Sequence, residues 1–325
     1  MGPYQQHKRR WRRFAAALGL SALLGAAAHA EYPERPVTIV VPYAAGGGTD
    51  AVARTLAASL QSTWGEPVIV ENRAGVDGWI GTQRVLSQPA DGYTVLLQLN
   101  SMLLWPWAVP EAKVDIARDL TLITKLQSSP MVPLVRGDSA AGTLEEMFQH
   151  CKARATGCSY GYATPSAELV GRQLAELGGL ENAVTVPYKG TSQMVNDLLG
   201  GHIDIALVSA ALATPLHHDK RAKALAVGTP ERYTRLPDVP TFDEAGYPAK
   251  GGTTWYGLMV REGTPQPIVD RIYRAVQDAG KKPDVLTAIE SQGGIPVFNT
   301  PDEFRRDVAE DLEAITPLGK KYLAR

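Results

Sequence analysis

The residues best placed for chemistry in this chain are small ones. Gly46, Gly47 and Gly48 follow Tyr43-Ala44-Ala45 and lead into Thr49-Asp50. In front of them, Val37 to Val41 is a β-branched run of the kind that packs in a buried strand. Behind them, Val52, Leu56 and Leu60 recur every four residues, the spacing of one helix face. A strand that passes through glycines into a helix leaves backbone N–H groups at the positive end of the helix dipole, a place suited to an anion. Two later stretches share the design: Ala163-Thr164-Pro165-Ser166 and Lys189-Gly190-Thr191-Ser192.

In an open α/β sheet, ligands bind beyond the carboxyl ends of the strands. If the three junctions face one crevice, their helix amides together hold a carboxylate without an arginine. Each junction taken alone is equally well ordinary capping. Ser101 and Ser209 end strands, where a hydroxyl serves a ligand or the local backbone on equal terms. Asp50 is placed to receive a ligand amine or hydroxyl, although an acid in the first helical turn more often complements the dipole. Trp105, Trp255 and Tyr256 are candidates for the crevice wall, and Trp107 reads as core.

The same glycines support a rival reading. Gly46-x-Gly48-x-x-Ala51 satisfies a relaxed dinucleotide fingerprint, and Glu71 ends the next strand about twenty residues on. An exported enzyme using the Gly46–Gly48 loop for a nucleotide is therefore the alternative. Against it, Pro42 to Ala45 separate the strand from the first glycine, so the turn is not tight. No His-Glu-x-x-His pair is present and nothing nominates a catalytic triad, so the chain does not read as an enzyme. No metal site or cofactor is expected. Cys151 and Cys158 flank a polar stretch, and in an oxidising compartment a small disulfide loop is favoured over two unpaired thiols. His217-His218 reads as an exposed loop pair.

The elements that must position these residues alternate between strand and helix, which predicts an α/β fold with mainly parallel sheets. Expected strands include Val68–Glu71, Tyr93–Leu97, Ser159–Tyr162, Val184–Tyr188, Ile203–Val208, Ala224–Val227 and Trp255–Val260. Thr143, with Glu146 three residues on, marks a helix start. The extended segments Met131–Arg136 and Trp255–Arg261 bracket the middle of the chain. They predict two α/β lobes joined by a two-stranded hinge: residues 31–130 and 255–325 in one lobe, and 131–254 inserted as the other.

Residues 1–30 read as a signal peptide. Lys8, Arg9, Arg10, Arg12 and Arg13 precede an apolar stretch, and Ala28-His29-Ala30 is a small-x-small cleavage site. Either Sec or twin-arginine export fits. Removing those five cations takes the formal charge from −1 to about −6. Nothing in such a chain resembles the basic footprint of a nucleic-acid binder.

Taken together, several motifs resemble the Bug family, the TctC-type periplasmic receptors of tripartite tricarboxylate transporters. They are Val40 to Asp50, Val70 to Gly75, Asp91-Gly92-Tyr93-Thr94, Val186 to Gly190, Asp197 to Gly201, Leu236 to Thr241 and Trp255-Tyr256-Gly257-Leu258. The resemblance implies a type II periplasmic-binding-protein fold that closes like a flytrap. The implied ligand is a small carboxylate: an organic acid, an acidic amino acid or a nicotinate-like acid. The implied protein is a monomeric periplasmic receptor serving membrane transporter subunits or a sensor protein. By motif, ligand contacts carry onto Tyr43, Ala44, Ala45, Gly46, Gly47, Gly48, Thr49, Asp50, Ser101, Thr164, Pro165, Ser166, Gly190, Thr191 and Ser209. Relatives often carry Phe-Asp where this chain has Val208-Ser209. An acid lost there disfavours a ligand amine, if that position faces the cleft.

Overall fold

The computed structural model describes residues 32–324. The leader read at residues 1–30 lies outside the described residues. From Arg35 onward the chain forms one compact unit, and residues 32–34 belong to the segment before it.

Ten strands build the sheet system: β1 Val37–Val41, β2 Val68–Asn72, β3 Thr94–Leu99, β4 Leu120–Arg136, β5 Ser159–Tyr162, β6 Val184–Pro187, β7 Ile205–Ser209, β8 Ala222–Ala224, β9 Thr253–Arg261 and β10 Ile295–Pro296. Their order is β2-β1-β3-β9-β4-β7-β5-β6, with β8 and β10 also pairing with β4. β1 lies parallel between β2 and β3, and β5 lies parallel between β6 and β7. Strands joined by helical crossovers must run parallel, because a hairpin turn would reverse them. Consequently the carboxyl ends of β1, β2 and β3 lie on one side of their sheet, as do those of β5, β6 and β7 in theirs.

β4 connects the two groups. Its first half pairs antiparallel with β9 from Leu120 to Pro130, and its second half pairs with β7 from Met131 to Leu134. The extended segment expected from sequence, Met131–Arg136, is only the second part of this strand. The omitted half, Leu120 to Pro130, interleaves Thr, Lys, Gln and Ser with its apolar residues, which blurs the strand period. Where Ala224–Val227 was expected as a strand, β8 ends at Ala224 and only a single bridge, Val227 to Thr241, follows. A second correction concerns His217-His218, which close a helix, Ala210–His218, rather than occupying a loop. Pro215 inside that helix disguises it in the sequence. His217 Nδ1 accepts the Ala224 amide at 3.0 Å, so this ring ties helix to strand.

The core around β3 and β9 contains fully buried Trp105, Leu96, Met259 and Phe304. Trp79 meets Trp105 edge-on at 5.7 Å, and Trp255 meets Phe304 edge-on at 5.1 Å. Each such pair adds about 1 kcal/mol beyond the area it buries. Separate apolar clusters fill the two faces of the β5–β7 sheet. On one of them, Cys151 and Cys158 form a disulfide across the turn between the helix Leu144–Lys152 and β5.

Candidate functional site

Tyr43 follows β1, and its half-buried ring sets the floor of the first junction. The hydroxyl donates to Gln98 Oε1 at 2.6 Å and lies 3.5 Å from Ser101 Oγ. Gln98 is wholly buried near the end of β3, where its amide nitrogen donates to Thr82 Oγ1 at 3.0 Å. Burial raises the Tyr43 pKa well above the ordinary phenol value, and the nearby Asp77 charge raises it further. The phenol therefore stays protonated and acts as a donor.

The glycine loop comes next. Gly46 has φ +81°, a left-handed conformation that L side chains rarely adopt. Its N–H donates to Asp50 Oδ2 at 2.9 Å, the oxygen that also receives Arg54 Nε at 2.9 Å. Asn72, at the end of β2, donates to Asp50 Oδ1 at 3.0 Å and to the Tyr43 carbonyl at 3.2 Å. Burial pushes the Asp50 carboxyl up, but these partners outweigh it and hold the pKa below its ordinary value. Asp50 thus stays ionised and is spent on shaping its own loop.

What the loop presents outward is backbone. Ala44 to Gly47 are exposed, and Gly47 caps the helix Gly48–Trp64 without any side-chain hydrogen bond. Thr49 is buried and hydrogen-bonds Tyr256 on β9. Beside Gly48 lies the Gln292 side chain, whose Oε1 would stand 2.7 Å from a Cβ built there. One residue later, a Cβ on Gly293 would fall 2.3 Å from the Ala211 amide nitrogen. The pair Gln292-Gly293 therefore brings together the starts of the Gly48 and Ala210 helices. Exposed Ser209 is the N-cap of the second, again with no side-chain cap.

The Thr164 junction behaves differently. Thr164 Oγ1 accepts the Ala167 amide at 3.2 Å, and Pro165 at the first helical position has no N–H to offer. Buried Ser166 lines a small pocket with Asn100, Leu103, Leu104 and Gly251, next to Ser101. Thr191 is half-buried at the start of the helix Thr191–Gly200, whose N-cap, exposed Gly190, lacks a side-chain bond. Among the described residues, no hydrogen bond ties Gly190 or Thr191 to the first loop.

Sequence reasoning passed over Asp77, Asn72 and Gln292. Asp77 sits in the short 3-10 turn Val76–Gly78 after β2, with φ 50° and ψ 34°. Trp105 Nε1 donates to its Oδ2 at 3.1 Å, and the Ser101 hydroxyl also bonds it. Burial pushes its carboxyl up to about 6, those two donors opposing the shift. The available signal was Gly75-x-x-Gly78 directly after a strand, the same grammar as the first junction.

Comparison with known proteins decides the family. The model described as "Tripartite tricarboxylate transporter family receptor" matches residues 52–322. The chain belongs to that receptor family. It is 32% identical to Protein BugT of Bordetella pertussis over 308 residues, covering 92% of each chain. Among solved structures, MatC from Rhodopseudomonas palustris with bound malate is 28% identical, with a TM-score of 0.76 over 89% of this chain and all of the other. An R. palustris protein with adipate is 27% identical, with a TM-score of 0.79 over 89% of this chain and 98% of that one. The fold is that of TctC-type periplasmic binding proteins, and the family is one of solute-binding receptors.

Family membership gives no support to the nucleotide reading. Glu71, the residue that reading needs for a ribose, accepts Arg73 Nε at 2.6 Å and faces Arg84 Nε at 3.4 Å. Its carboxylate is already committed.

Proposed function

We propose that this TctC-family chain, processed near residue 30 and released into the periplasm, captures a small carboxylate and passes it to a membrane transporter without altering it chemically. In this reading residues 31–130 and 255–325 form one lobe, 131–254 the other, and β4 with β9 is the hinge on which they close. The bonded Cys151–Cys158 pair fits an oxidising compartment. Malate and adipate, held by two relatives, are both small carboxylates.

One observation carries the reading. The Gly48, Thr191 and Ala210 helices start without side-chain caps, and Gln292-Gly293 brings two of those starts together. First-turn amides that no side chain satisfies are donors awaiting an acceptor, at the end of the helix that favours negative charge. The proposed contacts are Tyr43 through Thr49, Ser101, Ser166, Thr191 and Ser209, while Asp50 and Thr164 support the loops. Calorimetry and thermal melting with a panel of mono-, di- and tricarboxylates test this. The expected result is saturable binding of at least one acid, raising stability by about 2.7 kcal/mol at a hundredfold excess over Kd. A protein that shifts with NAD and with no acid overturns the proposal.

A further inference from the structure

Asp77 is an acid at the proposed anion site with no cation to match it. Its backbone lies in the left-handed region, where a non-glycine residue persists only if its surroundings hold it there. The residue is half-buried, and its carboxylate is bonded by Trp105 Nε1 and the Ser101 hydroxyl. Both partners are neutral donors. Among the described residues, no lysine or arginine pairs with Asp77, whereas Asp50 has Arg54, Glu71 has Arg73 and Asp204 has Arg154.

The acid also shares a wall with the glycine loop. Tyr43, which opens that loop, reaches toward Ser101, and Ser101 bonds Asp77. A Cβ on Gly78, the residue after Asp77, would lie 3.2 Å from the Tyr43 hydroxyl. The loop that Tyr43 opens carries the uncapped helix start, and the Tyr43 hydroxyl approaches the Ser101 that bonds Asp77. The helix start favours an anion, Asp77 a cation, and together they suit a small molecule carrying both.

We propose that Asp77 receives the protonated amine of the ligand, so that this receptor prefers an amino acid to the matching plain acid. The inference rests on the carboxylate-capture reading and deepens it. The chain has a serine at position 209, and this geometry places the acceptor for an amine at position 77 instead. Asp77 is a specificity determinant here, and its bond to the ligand is a charge-assisted hydrogen bond.

Two matched pairs differing only by the amine test it: aspartate against succinate, and glutamate against glutarate. Each is titrated calorimetrically at pH 7.5 into the wild-type mature chain and into Asp77→Asn. Asparagine keeps the size and tolerates left-handed backbone, and thermal melting verifies that the variant folds. The expected result is at least tenfold tighter binding of one amino member over its plain partner. Asp77→Asn should erase that preference, bringing the two members of the pair within threefold of each other. Equal affinities within both pairs in the wild type overturn the inference and leave carboxylate capture standing, as does a preference that survives in the variant. If none of the four binds, this inference falls, and carboxylate capture falls with it only when the whole mono-, di- and tricarboxylate panel also fails to bind.

Discussion

The junctions at residues 43–50 and 163–166 look alike in sequence and differ in what they leave open. Both run from a strand through small residues into a helix. At the first, glycine occupies the cap and Asp50 folds back onto Gly46 and Arg54, so the helix starts without a side-chain cap. At the second, Thr164 takes the Ala167 amide and Pro165 removes another donor. A helix start is a ligand site only when its own side chains decline to fill it. Thr143 and Thr300 cap their helices as Thr164 does, and neither was a ligand candidate.

Four experiments sharpen or break that contrast. The largest effect is expected from Gly47→Glu. A Cβ at Gly47 meets only the Ala44 carbonyl at 3.4 Å, and its φ of −80° suits any residue, so the fold should survive. A carboxylate at the cap would then compete with the ligand for the same amides. Carboxylate affinity is expected to fall at least about a hundredfold, near 2.7 kcal/mol, with far-UV circular dichroism unchanged. Retained affinity would remove the first loop from the site.

Next comes Asp77→Asn, read by melting temperature against pH in the absence of ligand. The folded-state pKa near 6 lies above the ordinary aspartate value of 3.8. A raised acid is favoured while protonated, so the Asp77 contribution to stability is greatest below about pH 4 and is lost as pH rises through 6. The variant escapes that loss. It should match wild type near pH 4 and exceed it by about 1 to 2 kcal/mol above pH 7. A pH-independent gap would mean that the site acid carries no such cost.

Thr164→Ala should cost about 1 kcal/mol of stability, measured by urea unfolding, while changing carboxylate affinity less than twofold. A large loss of affinity would erase the contrast between the junctions. The smallest effect is expected at Thr191→Pro. Proline suits the first helical position, and the extended Gly190 (φ −164°, ψ 149°) tolerates a following proline. Only one amide is lost, so affinity should drop a few fold in calorimetry with the melting temperature held. Unchanged affinity would exclude that helix start from the site.

Much of the architecture was legible because strands and helices announce themselves through periodicity. Val37–Val41 was read to the residue, and the Thr143 cap appears where Thr-x-x-Glu predicts it. Half of β4 escaped because polar residues interleave its apolar ones, and the Ala210 helix because Pro215 interrupts it. Around the site, the glycine loop was visible as a composition, whereas the fate of Asp50 was not: its partners Arg54 and Asn72 come from the next helical turn and another strand.

The sequence by itself determined the alternation of elements, the position of the glycine loop and the family, since each is written in local residue order. Only the tertiary structure decided which helix starts remain uncapped, where Gln292-Gly293 joins two of them, and that Asp77 stands beside Ser101 and Trp105 without a cation. Those outcomes depend on distances between residues far apart in the chain. Burial and electrostatic energy follow distance in space, and residue order leaves that distance unspecified.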